Sequence, residues 1–267
     1  MVWERRINST FLSIVELSYL SSSFVVGSFQ LPLLIDLEGS NESAWALPDS
    51  VDWRARGHAV SPIKNQGACG SCWAFAATAA LESHVSIATG KLMVLSVQEL
   101  VSCVPNPRHC GGIGGCGGST AELAYDFVAQ HGMVDEWHFS YQSFYGQQVN
   151  CTLLEEEQES LFARILRRTT TTKQNYIPNS VASIVGFANL PSNQYNTLMA
   201  AVAFLGPVVV SVAASGWGLY QGGIYDDDAQ TDREINHAVV LEGYGKDQET
   251  GQEYWLVRNS WGPMWGK

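Results

Sequence analysis

The spacing of apolar residues changes character once along this chain, and that change restricts the fold more than any other feature. In the first part, CWAFAATAALESHVSIATG is rich in alanine, carries spaced apolar residues and runs into Gly90, a suitable helix C′ position. Ser71 to Thr89 is therefore read as a helix with Cys72 in its first turn. Ser96 to Cys103 reads as a second helix, with Ser96 as N-cap and Glu99 three residues on, the spacing of a capping box. Thr120 to Gln130 reads as a third, ending near Gly132. In the second part, Ser183 to Phe187, Pro207 to Ala213, His237 to Tyr244 and Tyr254 to Arg258 are rich in Val, Ile, Leu or aromatic residues and read as strands. The stretch from Asn193 to Leu205 reads as a helix between the first two. A helical front half and a strand-rich back half predict an α+β arrangement of two lobes.

A chain of 267 residues that is 46% hydrophobic has enough apolar surface for one substantial core, or for two lobes sharing an interface. The formal net charge of -11 argues against a nucleic-acid footprint or a basic membrane patch and suits an acidic or extracellular setting. Residues 1 to 46 differ in pattern from the rest of the chain, and a boundary is expected at LPDSVDW, residues 47 to 53. Arg5 and Arg6 precede an apolar-leaning stretch from Phe11 to Val26, but Glu16 and many serines interrupt it, so the segment reads as a weak signal sequence or a propeptide remnant. No stretch approaches the ~18 to 20 continuous apolar residues of a membrane span. The Glu155-Glu156-Glu157 run and the Thr169 to Thr172 run mark residues 152 to 180 as a solvated excursion without chemistry. Sequons stand at Asn8, Asn41 and Asn150.

Chemistry concentrates at a few positions. A thiol is an effective nucleophile near neutrality only when its pKa is lowered, and a helix N-terminus with a nearby imidazolium does this. Cys72 stands where a helix begins; its base must come from a distant part of the chain. Taken singly, a cysteine in an alanine-rich helix, a histidine before Ala-Val-Val and an asparagine before Ser-Trp are usually structural. The six cysteines, at 69, 72, 103, 110, 116 and 151, allow three bridges, reduced thiols or a mixture. Zinc is a rival use of Cys103, Cys110 and Cys116, but six and five intervening residues are not the short knuckles that zinc sites use, so no metal is expected.

In combination the motifs point one way. Cys69-Gly70-Ser71-Cys72-Trp73 fits the C-G-[SA]-C-[WY] signature. With LPDSVDWR, NQGACGSCWAF, GCGG, INHAVVLEGYG and YWLVRNSWGPMWG arranged in order over residues 47 to 266, the chain resembles the papain-like cysteine peptidases of the papain and cathepsin L type. The resemblance implies a papain-like two-lobe fold with the active-site cleft between a helical front lobe and a strand-rich back lobe. Cys72 would be the nucleophile and His237 the base paired with it; Asn259 would orient His237, and Trp261 would shield that contact. Gln66 and the backbone N–H of Cys72 would form the oxyanion hole. Substrate backbone would bind Gly117 and Gly118, where Ser119 takes the place of a common glycine. The pocket for the residue two before the scissile bond (P2) would be lined by Thr120, Ala121, Val210 or its neighbours, and Ala238, favouring a hydrophobic side chain.

The same resemblance pairs Cys69 with Cys116 and Cys103 with Cys151 and leaves Cys110 a free thiol. It implies no cofactor, polypeptide substrates, cystatin-like protein inhibitors, a monomer, and a lysosomal or secreted location. An endopeptidase is expected; the alternative is a catalytically inactive or truncated papain-fold binding protein. The chain departs from the family in two respects: residues 1 to 46 lack the pattern of an inhibitory propeptide, and 47 to 267 is expected to be incomplete at its C-terminal end, with a back-lobe sheet edge exposed.

Overall fold

The computed structural model describes residues 2–4, 12–18, 46–154, 177–226 and 234–266. The two acidic and threonine runs of the excursion and the sequons at Asn8 and Asn41 lie outside the described residues. Two apolar clusters organise the rest. One surrounds helix α1 (Cys72–Thr89) with α2 (Val97–Cys103) and α3 (Ala121–His131). The other lies between the sheet and α4 (Tyr195–Phe204).

Helix α1 is the central rod. Trp73 to Ser86 are all buried: most are apolar or small, and the exceptions Glu82 and His84 are hydrogen-bonded, Glu82 to Lys64 and His84 to the Pro207 carbonyl, so the helix packs all round rather than along one stripe. Gly90 stops it in the left-handed conformation at φ 71°, its N–H donating to the Ser86 carbonyl at 2.8 Å. Ser96 caps α2 by accepting from the Glu99 N–H at 3.0 Å, but the expected reciprocal half of the capping box is not made. The Glu99 carboxylate accepts instead from the Val134 N–H at 2.8 Å, and the Ser96 N–H donates to the Val134 carbonyl at 3.0 Å. Burial pushes the Glu99 carboxyl up to about 8. Disulfides Cys69–Cys116 and Cys103–Cys151 staple this lobe, leaving Cys72 and Cys110 as thiols. Their sequence separations of 47 and 48 correspond to about 4 kcal/mol each on a chain-entropy estimate.

The sheet contains β1 (Val2–Glu4), β2 (Leu12–Ser18), β3 (Val51–Asp52), β4 (Ser183–Leu190), β5 (Val208–Val212), β6 (Ile224–Tyr225), β7 (His237–Lys246) and β8 (Glu253–Arg258). Its order is β4-β2-β5-β7-β8-β1-β6, with β3 added on β7. The pairs are antiparallel except β1 with β6. The four strands read from apolar runs are present with slightly different ends. The expected open edge beside β8 is not there: Val2, Trp3 and Glu4 pair with Leu256, Trp255 and Tyr254. Residues from the chain's beginning, which carry no strong strand pattern, occupy that position because β8 offers a full row of backbone partners.

Strand alternation divides β5 between the two cores. Val208, Val210 and Val212 belong to the back-lobe cluster, whereas Val209 joins Ala238 and Val240 in the cluster around α1.

Candidate active site

Cys72 reaches the interlobe surface because its loop is fixed against the glycine segment. The Gly70 N–H donates to the Cys116 carbonyl at 3.0 Å, beside the Cys69–Cys116 bridge. A side chain at Gly70 would bring a Cβ within 2.6 Å of that carbonyl, so only glycine permits the approach. The turn ends in the first residue of α1, where helix N–H groups have no intrahelical acceptor. Burial pushes the Cys72 thiol up; the N–H groups of Ala238, Trp73 and Cys72 itself act on the sulfur in the opposite direction. Ala238 is the second residue of β7, so the helix start and the strand start meet at this sulfur.

His237 opens β7, and Asn259 follows the last residue of β8. The pairing of these two strands, with Val240 opposite Arg258, places the two side chains at the same end of the hairpin. Asn259 Oδ1 lies 2.7 Å from His237 Nε2 and also accepts from the Ser260 N–H at 2.7 Å. A backbone N–H can only donate, so the Asn259 atom between them is the oxygen, and Nε2 of His237 must carry the proton. Nδ1 is then the ring nitrogen available to exchange a proton. Burial lowers the His237 pKa, and the hydrogen bond to Asn259 raises it. Trp261 leans over the imidazole with ring centroids 5.0 Å apart, and Trp217 meets it edge-on at 6.2 Å.

Gln66 is set by contacts from both lobes. Its N–H donates to the Ser260 carbonyl at 2.9 Å, its Oε1 accepts from Ser260 Oγ at 2.7 Å, and its Nε2 donates to the Cys69 carbonyl at 2.8 Å. The Tyr141 hydroxyl donates to the Gln66 carbonyl at 2.8 Å. With Oε1 held by a hydroxyl, Nε2 faces the Cys69–Cys72 turn and retains a second hydrogen. The preceding residues are anchored as firmly: Glu82 accepts from Lys64 Nζ at 2.6 Å and from Ser61 Oγ, and Arg258 donates to the Ser61 and Pro62 carbonyls, both at 2.7 Å.

The remaining sites from the sequence divide. Thr120 is the N-cap residue of α3, and Ala121 and Ala238 lie in the cluster that surrounds α1. The Gly117 and Gly118 carbonyls already accept from the N–H groups of Ile113 (3.2 Å) and Gly114 (2.7 Å), and the Gly117 N–H donates to Gly114. Val210 does not line the cleft; it is fully buried in the back-lobe core. The period of two along β5 turns its neighbours Val209 and Ser211 to the other face, and Ser211 pairs with Ala238. Three contributors were missed. Ser260 stood inside the RNSW motif and was readable as a neighbour of Asn259; Trp217 and Tyr141 sit in stretches with no distinguishing pattern.

Among the described residues no group of three or more metal-ligating side chains is gathered, and Cys103 and Cys116, two of the three cysteines considered for zinc, are bridged. No helix among them is long and apolar enough to cross a membrane.

Known proteins resemble the chain in sequence and in fold. The family described as papain family cysteine protease matches residues 47–267. Cysteine protease 1 of Oryza sativa subsp. japonica is 41% identical over 225 residues, covering 83% of this chain and 40% of that protein. Procathepsin L of Mus musculus is 37% identical over 243 residues, covering 89% of this chain and 60% of that protein. The chain thus spans roughly half the length of these curated relatives. Among solved structures, digestive procathepsin L 3 of Tenebrio molitor superposes with a TM-score of 0.67 at 30% identity, covering 97% of this chain and 68% of that one. Bromelain protease of Ananas comosus, in complex with the E64 inhibitor, gives a TM-score of 0.64 at 34% identity, covering 82% and 86%.

Proposed function

The chain belongs to the papain family of cysteine proteases, and from that premise we propose that it is an endopeptidase acting through Cys72 and His237. The observation that carries the reading is the double acceptance by Asn259 Oδ1, which fixes the tautomer of His237 on a strand whose next N–H reaches the Cys72 sulfur. Cys72 passes its proton to Nδ1 of His237, creating two opposite charges that support each other where burial opposes either one alone. The thiolate forms a C–S bond with the peptide carbonyl carbon. The oxygen of that carbonyl, now negative, is met by Gln66 Nε2 and the Cys72 N–H. His237 then protonates the amide nitrogen, the C–N bond breaks, and an acyl-enzyme remains. A water molecule gives a proton back to His237 as it attacks the thioester, and the acid product leaves Cys72 free.

Substrates are polypeptides. The pocket for P2 is framed by the small residues Thr120, Ala121 and Ala238, with Ser211 beside them; no acid stands among these four, which favours a hydrophobic P2 side chain. Backbone recognition by the glycine segment falls to the groups of Gly118 and Ser119 not already engaged with residues 113 and 114. A cystatin-like inhibitor would enter the same cleft, the enzyme acts as a monomer, and two disulfides together with an acidic net charge support a lysosomal or secreted setting.

The test is labelling of the full chain with an epoxide inhibitor of the E-64 type at mildly acidic pH under mild reduction. A covalent adduct mapped to Cys72, absent from Cys72→Ala, is the expected outcome. A folded wild type that forms no adduct and cleaves no peptide with hydrophobic P2 would overturn the proposal.

A further inference from the structure

We infer that the N-terminal strands β1 and β2 are positioning elements of the catalytic pair, built into the back-lobe sheet on either side of the strands that carry His237 and Asn259. This rests on the roles given above to those two residues. The sheet order places both strands in its interior: β1 lies between β8 and β6, and β2 lies between β4 and β5. Trp3 pairs with Trp255 on one side and Tyr225 on the other. Ser13 pairs with Asn189 on one side and Val209 on the other. A strand with two ladders leaves two open edges when it is lost.

Both ladders lead to the site by a short path. β8 ends one residue before Asn259, and among the described residues its neighbours in the sheet are β7 and β1. β5, on which β2 pairs, places its last residue Val212 opposite His237. The 2.7 Å contact between His237 and Asn259 therefore spans two strands, each of which is held from outside by a β1 or β2 ladder, directly for β8 and through β5 for β7. Catalytic geometry is sensitive to displacements of about 1 Å, which cost on the order of a hundredfold. On the front-lobe half of the site Cys72 is also secured by α1 and the Cys69–Cys116 bridge, and β2 packs against α1 as well. Residues 2–4 and 12–18 thus work as part of the catalytic body.

Hydrogen exchange on the intact wild-type chain tests the placement without reference to activity. Backbone amides of residues 2–4 and 12–18 are expected to exchange as slowly as those of β8; exchange at the rate of an unstructured peptide, with β8 still protected, would sink the inference. Trp3→Pro and Ile14→Pro, which remove a backbone donor from each strand, test the positioning. Each is expected to lower kcat by about tenfold to a hundredfold with little change in KM. Each should also move the alkaline limb of the pH profile to lower pH, because a weakened Asn259 contact no longer raises the His237 pKa. A smaller folded fraction would lower kcat without moving that limb. Both variants retaining the wild-type kcat and profile would overturn the positioning role. If a proline variant fails to fold, hydrogen exchange on the wild type decides. A wild type with protected strands but no Cys72 labelling would break the proposed enzyme function and leave the strand placement standing.

Discussion

The two halves of the site are held by different means. On the front lobe, Cys72 depends on contacts close to it, a helix start and a disulfide, while Gln66 is held from both lobes, through the Cys69 carbonyl on one side and Ser260 on the other. On the back lobe, His237 and Asn259 depend on a ladder of strands drawn from widely separated parts of the chain. A covalent staple limits the unfolded state and survives local loosening, whereas a sheet holds its members only as long as its neighbours remain paired. Cys72 is thus the firmly held residue, and the His237–Asn259 pair the adjustable one.

The largest effect that probes this contrast is His237→Ala, which should reduce kcat/KM by about ten-thousandfold or more, since nucleophile and base act as a unit. Steady-state hydrolysis of a fluorogenic peptide reads it; a loss below a hundredfold would mean that another group takes the proton. Gln66→Ala removes a donor from the developing oxyanion and should lower kcat by about a hundredfold to a thousandfold with KM nearly unchanged. Asn259→Ala releases the tautomer of His237 without removing the ring, and a loss of about tenfold to a hundredfold is expected by analogy with other orienting partners of histidine. If Asn259→Ala proves harsher than His237→Ala, Asn259 does more than orient the imidazole and the assigned role fails.

Stability should separate the lobes as well. Cys103→Ser with Cys151→Ser opens the front-lobe staple and is expected to lower Tm by roughly 8–16 °C in scanning calorimetry, from about 4 kcal/mol at 2–4 °C per kcal/mol. The kcat of the folded fraction should stay close to wild type, because neither cysteine touches the site.

The smallest predicted effect is a pH slope from the front-lobe core. Glu99 is held near 8 in the folded chain, above its ordinary value of 4.5, so the folded state keeps a proton that the unfolded state has lost. Its stabilisation is present in full below about pH 4.5 and is lost as pH rises through 8. Buried His84 runs the other way: burial lowers it to about 4, so the folded state loses stability as pH falls from 6.5 to 4. The two slopes oppose each other between about 4.5 and 6.5, and of these two only Glu99 acts above that. Over pH 6.5 to 8 its share is about 2 kcal/mol. Chemical denaturation of Glu99→Gln should show this alkaline loss removed; an unchanged slope would place its origin elsewhere.

The sequence alone determined a great deal here, because much of the site is local chemistry on regular elements. Gly90 and the alanine-rich run marked α1 and put Cys72 at its start; apolar runs marked β7 and β8 and thereby the ends at which His237 and Asn259 stand. Ordered motifs identified the family and both disulfide pairings. Only the tertiary structure decided the rest. Residue parity along β5 buried Val210 and turned Ser211 toward Ala238, a choice set by which face meets α1. The Glu99 carboxylate was drawn away from its capping box by the Val134 N–H, a partner 35 residues distant. Trp217 became a neighbour of His237 through packing that no local pattern encodes. The filling of the sheet beside β8 by Val2–Glu4 was equally illegible, since backbone pairing reads the availability of N–H and C=O groups and is nearly blind to side chains.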